Sequence, residues 1–280
     1  MAANSLEKSK ESKELKKIEL IAIDLDGTLF NSKSEISKRN KDAINRCLEN
    51  KIKIIITTAK TVNWAKKLIK ELNLKDPQIA SAGAVIVNPD GDLNYIKKIP
   101  INSYKKIINL ARKWEVGVAV SCIDSFVYYE KDNPFLKYVW DSGEIPGKTD
   151  NLLKNGIANQ ALLITITITA EHPFNNIVAE ELGDELKVRR AGEYFLTAYN
   201  KRAGKLGALR NVLKITGVNP ASIMAIGDSE GDLGMISLAG IGIAMGNALK
   251  KLKDAADFVV SDNDNDGVAE AINKFVFGEI

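Results

Sequence analysis

Asp24 and Asp26 stand two residues apart at the end of an apolar run, in the stretch IELIAIDLDGTL that spans residues 18–29. Two carboxylates leaving a buried strand are costly unless something compensates their charge, and a metal cation is the natural partner. Gly27 lets the backbone turn sharply just after them. Polar residues sit at three comparable places: Thr58 after Lys53–Thr57, Lys205 at the head of a helical pattern, and Asp228 and Asp232 after Ser222–Ile226. Carboxylates that converge on one pocket repel each other, and oxygen-only donors select a hard ion such as Mg²⁺. A carboxylate can also attack phosphorus. Lys205 and Thr58 would then hold the phosphoryl oxygens, and the backbone N–H groups of the Leu25–Gly27 turn would add to that cradle. Taken singly, these residues have plainer explanations. Asp and Gly are ordinary turn residues, a lysine at a helix start is usually solvated, and Asp228 and Asp232 suit a helix cap and a first-turn acid.

The elements around these residues say whether they can meet. Leu20–Ile23 and Lys53–Thr57 are short apolar runs of the kind buried on both faces in a parallel sheet, whose chemistry collects at the carboxyl edge. Helical periodicity follows each strand: Ser37–Asn50 carries Ile44, Cys47 and Leu48 on one face, and Val62–Leu72 carries Val62, Ala65, Leu68, Ile69 and Leu72. A third strand falls near Gln78–Ser81. This alternation predicts a parallel sheet with right-handed crossovers. After Asn88-Pro89-Asp90-Gly91-Asp92, a turn signal, the pattern becomes α+β. It predicts a helix over Ser103–Trp114, a hairpin of Val116–Ser121 with Phe126–Glu130, and an irregular Asp132–Asn155. Leu163–Thr169 alternates Ile and Thr and reads as a half-buried strand facing water on one side. A helix at Pro173–Leu182 and strands at Leu186–Arg190 and Tyr194–Ala198 complete an antiparallel-rich unit. The strand–helix alternation returns with a helix over Leu206–Thr216, then strands Ser222–Ile226 and Ile241–Met245. Gly246-Asn247-Ala248 is expected to open a helix, followed by a strand Phe258–Ser261 and a closing helix Gly267–Phe277.

The chain has 280 residues, 45% hydrophobic and 27% charged, the profile of a soluble globular protein. Its net charge of +3 is too small and scattered to imply nucleic acid or a membrane surface. Two cysteines without a CxxC, Cys47 and Cys122, fit a reducing compartment. No apolar run approaches membrane-spanning length. Residues 1–17 are polar and lack the apolar core of a signal peptide. A cytoplasmic protein is expected, with no nucleic-acid or membrane partner, as a monomer or homodimer. His172, before a proline, is expected to be structural or exposed, and Trp64, Trp114 and Trp140 to be packing residues.

Asp24-Leu25-Asp26-Gly27-Thr28-Leu29 resembles the first motif of the haloacid dehalogenase superfamily of phosphohydrolases, and four motifs in the right order cover the core. Ala244-Met245-Gly246-Asn247-Ala248, Ala256-Asp257 and Asp266-Gly267-Val268-Ala269 resemble its Cof-type branch. The resemblance implies a Rossmann-like, doubly wound α/β core, residues 18–84 and 199–280, with an inserted α+β cap domain, residues 85–198, that chooses the substrate. It also implies roles. Asp24 is the nucleophile. Asp26 is the general acid/base and gives Mg²⁺ its backbone carbonyl. Thr58 and Lys205 bind the phosphoryl group, Asp228 is a direct metal ligand, and Asp232 supports the metal site. The chain departs from the family pattern at Thr58-Ala59-Lys60, where Thr-Gly-Arg is usual, at Gly231 where Asn is usual, and at Ala82 of Ala82-Gly83-Ala84. The expected activity is Mg²⁺-dependent hydrolysis of a small phosphorylated metabolite, a sugar phosphate, through an aspartyl-phosphate. The alternatives are a phosphotransferase or phosphosugar mutase, and a sugar-phosphate-binding protein whose turnover those departures have weakened.

Overall fold

The computed structural model describes residues 17–279; the expected polar tail lies outside them apart from Lys17. Runs of Ile, Leu, Val and Ala fold as strands buried on both faces. The first is β1 (Leu20–Asp24), followed by α1 (Lys38–Glu49), β2 (Lys53–Thr57), α2 (Val62–Glu71) and β3 (Gln78–Ala80). Two short strands come next, β4 (Val85–Val87) and β5 (Leu93–Asn94). The second unit contains α3 (Ile101–Lys113), β6 (Gly117–Cys122), β7 (Phe126–Tyr129), α4 (Leu136–Asp141) and β8 (Ile145–Lys148). It continues through α5 (Asn155–Ala158), β9 (Ala161–Thr167), α6 (Phe174–Leu182), β10 (Leu186–Ala191) and β11 (Phe195–Asn200). The chain then runs through α7 (Lys205–Thr216), β12 (Ile223–Gly227), α8 (Leu233–Leu238), β13 (Ile241–Ala244), α9 (Lys250–Ala255), β14 (Phe258–Val259) and α10 (Gly267–Val276).

Eight strands form one sheet in the order β14-β13-β12-β1-β2-β3-β4-β5. The six strands from β14 to β3 are parallel, whereas β4 and β5 are antiparallel. The winding runs outward from β1 through β2 and β3. After the second unit it resumes on the other side of β1, at β12. The order therefore reverses between β1 and β12, and their carboxyl ends frame the crevice where such sheets bind ligands. A second sheet, β10-β11-β9-β6-β7-β8, forms the inserted α+β cap. Its pairs are antiparallel except β7–β8. Tyr104, Ile107 and Ala111 of α3 and Phe174, Val178 and Leu182 of α6 pack in one core with Ile164, Ile166 and Leu196 of this sheet.

The structure corrects the sequence expectations in five places. β4 and β5 extend the core sheet to Asn94, beyond the expected crossing at residues 84/85. The segment read as irregular contains α4 and β8; β8 reads Ile-Pro-Gly-Lys, and its edge position is where a strand tolerates proline. The Ile/Thr strand is not open to water on one side: β9 lies between β6 and β11 and only Thr165 of it is half-buried. Trp114 is 37% exposed rather than packed inside, with His172 and Phe174 against its ring. Gly246 opens no helix; α9 begins at Lys250, because the chain turns tightly there and a Cβ at Gly246 would lie 2.7 Å from Asp262 N. The expected hairpin, β6–β7, is present with Ala119 opposite Tyr129.

The chain leaves the core for the cap and returns along adjacent paths, joined where Asn200 Nδ2 donates to Lys98 O at 2.7 Å. Beside the return, Gly83 (φ +81°) lies against Gly204, and a Cβ at Gly83 would sit 2.2 Å from Gly204 C and 2.5 Å from Lys205 N. This contact fixes where α7 starts and hence where Lys205 stands. Gly83→Ala combines a left-handed backbone with a backbone collision. It should cost about 3 kcal/mol of stability, seen as a lower urea midpoint at unchanged m-value.

Candidate active site

Asp24 ends β1 and is 5% exposed; Asp228 follows β12 by one residue, and Asp232 is fully buried. Their ligand oxygens lie within 4.8 Å of one another, and they are the one such acidic group among the described residues. Lys205, the first residue of α7, brings its Nζ to 2.6 Å from both Asp24 Oδ1 and Asp232 Oδ1. The other oxygen of Asp232 accepts from Ser229 N at 3.0 Å and Ser229 Oγ at 2.8 Å. Thr28 Oγ1 donates to Asp228 Oδ1 at 3.4 Å. Gly27 takes a left-handed φ of +78° under Asp228, where a Cβ would lie 2.6 Å from Oδ2, and its carbonyl accepts from Asn247 Nδ2 at 2.8 Å.

The electrostatics follow from this crowding. Burial, reinforced by Asp232, pushes the Asp24 carboxyl well above the usual carboxylate range, although Lys205 pulls the other way. Burial likewise raises Asp228. Burial disfavours the charged form of Lys205, but Asp232 and Asp24 outweigh it and hold the ammonium above its ordinary range. Three carboxylates thus share one buried ammonium, and the surplus negative charge calls for a cation. The donor set is all oxygen and suits a hard divalent ion.

Asp26 stands apart from this cluster. Its side chain is 53% exposed, and its carboxylate is 3.3 Å from Lys60 Nζ. Thr58 is 1% exposed, and its hydroxyl accepts from Lys60 N at 3.0 Å. Two consecutive left-handed residues, Ser81 (φ 49°) and Ala82 (φ 55°), turn their N–H groups onto this loop. Ser81 N donates to Lys60 O at 2.7 Å and Ala82 N to Thr58 O at 3.0 Å. Ala82 holds a conformation that Asn adopts more cheaply, so the departure there costs strain but keeps the brace. At Gly231 an added Cβ would meet Ser229 Oγ at 3.5 Å, ordinary contact, so the loop does not demand glycine.

All eight residues singled out from the sequence (Asp24, Leu25, Asp26, Gly27, Thr58, Lys205, Asp228 and Asp232) lie at the ends of β1, β2 and β12 or at the start of α7. Three contacts were not anticipated: Lys60 on Asp26, Ser229 on Asp232, and the cap's Arg189, whose Nη1 is 3.6 Å from Glu230 Oε2. Only Lys60 carried a signal, its place two residues after Thr58.

Clustered carboxylates and a buried lysine at a sheet switch point, beside an inserted cap, make an enzyme-like site with room for a hard cation. A family model described as haloacid dehalogenase-like hydrolase matches residues 21–272. The chain is 30% identical over 261 residues to the 5-amino-6-(5-phospho-D-ribitylamino)uracil phosphatase YcsE of Bacillus subtilis, covering 92% of this chain and 96% of that one. It is 28% identical to the chloroplastic Endoribonuclease YBEY of Arabidopsis thaliana over 93% of its own length, but spans only 47% of that protein. A crystal structure of a haloacid dehalogenase-like hydrolase from Bacteroides thetaiotaomicron superposes with a TM-score of 0.85 at 29% identity, covering 92% of this chain and 99% of that one. The chain belongs to the haloacid dehalogenase-like hydrolases, in their Cof-type branch.

The raised carboxyls give a signed prediction. A group whose folded-state pKa is raised binds its proton more tightly in the native state, so its contribution to stability fades as pH climbs above the ordinary carboxylate range near about 4. In EDTA, Asp228→Asn should therefore gain stability relative to wild type as pH rises toward neutrality. Added Mg²⁺ should reverse the order. Thermal melts of both proteins at stepped pH check it.

Proposed function

We propose that this chain is a Mg²⁺-dependent phosphomonoesterase that works through a phosphorylated Asp24. The observation that carries the proposal is Lys205 Nζ at 2.6 Å from Asp24 Oδ1, beside Asp228 and Asp232. Asp24, Asp228 and the Asp26 carbonyl would hold Mg²⁺, with Asp232 supporting the set. When bound, the ion supplies charge that keeps Asp24 ionised and offsets the negative charge of the phosphoryl group.

An Asp24 oxygen forms a bond to phosphorus as the bond to the leaving oxygen breaks, and Asp26 gives that oxygen its proton. A water then attacks the phosphorus. Asp26 takes the water's proton, the bond to Asp24 breaks, and inorganic phosphate leaves. Asp26 suits both proton transfers because its carboxylate is half exposed and lies outside the acidic cluster. Lys205, Thr58 and the N–H groups of Leu25–Gly27 hold the phosphoryl oxygens.

The division of labour is a core that runs through β5 and resumes at α7, with a specificity cap between them. The substrate is a small phosphorylated metabolite with a hydroxyl-rich leaving group, a sugar or polyol phosphate, consumed in the cytoplasm by a monomer or homodimer. Polar groups from the cap approach the site: Arg189 reaches Glu230, and Lys187 Nζ is 3.4 Å from Ala203 O. YcsE is named for a phosphoribityl substrate, which has the same character. Among the described residues no helix is long and apolar enough to cross a membrane.

Wild-type protein should release phosphate from p-nitrophenyl phosphate when Mg²⁺ is present and stop when EDTA is added. Asp24→Asn should lower kcat by about a thousand-fold or more. Equal phosphate release by the two proteins would remove Asp24 as the nucleophile.

A further inference from the structure

Lys60 is the ionic partner of Asp26, and most of its surroundings belong to the core. Its N–H donates to Thr58 Oγ1 and its carbonyl accepts from Ser81 N. The next residue breaks that pattern. Thr61 precedes α2 at the N-cap position, yet its hydroxyl makes no bond to the first turn of its own helix. Instead the hydroxyl donates to Glu144 Oε2, and Thr61 N donates to Glu144 Oε1 at 3.2 Å. Glu144 is a cap residue, in the turn between α4 and β8.

The residue before it is equally fitted. Gly143 (φ +84°) lies against Trp64 of α2, and a Cβ there would sit 3.0 Å from the ring. Trp64 is 7% exposed, with Lys60 Nζ 5.1 Å from its ring centroid and Phe30 edge-on at 5.6 Å. One cap turn thus covers Lys60, Thr61 and Trp64 together. Burial holds the Glu144 carboxyl above its ordinary range, and Lys60 and Asp26 both act on it electrostatically.

We infer that Glu144 is a positioning residue for the reaction. With the cap closed, its carboxylate grips both donors of Thr61, fixes the Lys60 loop, and so holds the Lys60 ammonium on Asp26. Withdrawal of the cap removes that support. The Lys60 loop then carries an added brace when the cap is in place, which couples closure to chemistry through one side chain. A pair of bonds onto the first residue before a helix is a short, rigid linkage, and small displacements at such points change turnover strongly. This role rests on Asp26 being the acid/base of the proposed phosphatase.

The test compares full-length wild type, Glu144→Ala and Glu144→Gln with p-nitrophenyl phosphate and Mg²⁺, reading kcat and KM separately, together with hydrogen exchange at the Thr61 amide. Glu144→Ala should lower kcat about ten-fold with KM changed less than about three-fold. Its Thr61 amide should exchange about ten-fold faster. Glu144→Gln keeps an acceptor for Thr61 N and should recover most of both. A Glu144→Ala kcat within about two-fold of wild type, or a loss of kcat with Thr61 exchange unchanged, overturns the inference. A wild-type protein inactive on every phosphate monoester would instead refute the phosphatase mechanism, and the exchange comparison would still decide whether Glu144 grips Thr61.

Discussion

The site is organised by a charge imbalance. Asp24, Asp228 and Asp232 bring three carboxylates within 4.8 Å, and one buried ammonium, on Lys205, stands among them. Removing such groups from water is expensive, and a partly compensated cluster is more so. The fold accepts that cost because the surplus negative charge is what makes a cation bind. Without Lys205 the cluster would repel an anionic substrate as well as itself. With a second lysine contact on the same oxygens, the pull on a metal would weaken. Ser229 completes the balance by satisfying the second oxygen of Asp232 with neutral donors, adding no charge.

Assembling that cluster falls to the sheet. Asp24 and Asp228 are about two hundred positions apart along the chain, but β1 and β12 are hydrogen-bonded neighbours with Ile23 opposite Ile226. The cap intervenes in sequence and not in the sheet. Where the chain rejoins the core, the Gly83–Gly204 contact sets the first turn of α7, and Lys205 enters the cluster from that turn. Close backbone approach, rather than side-chain chemistry, therefore sets the position of the one cation.

The core was largely legible in the sequence because its strands are near-continuous apolar runs and its helices keep a 3.6-residue period. The polar residues at the ends of β1, β2 and β12 could be placed without coordinates for that reason. The cap was less legible. Ile145-Pro146-Gly147-Lys148 carries two residues that argue against a strand, and only its edge position beside β7 makes pairing possible. The alternation in β9 implied a wet face, but strands on both sides and the core below bury it, a tertiary effect that periodicity does not encode. At the site, Asp24, Asp228, Asp232 and Lys205 were identifiable by type and position. Lys60 showed only as a position two residues after Thr58, and Glu144 not at all, because its partner Thr61 is met only where the cap turn between α4 and β8 reaches the head of α2.

The neighbouring exit and return of the chain, tied by Asn200 to Lys98, bear on ancestry. An insertion whose two ends nearly touch interrupts its host at a single spot, so the host's own packing survives whatever occupies the gap. Lineages can therefore trade one lid for another, or enlarge it, while inheriting the same hydrolytic machinery unchanged.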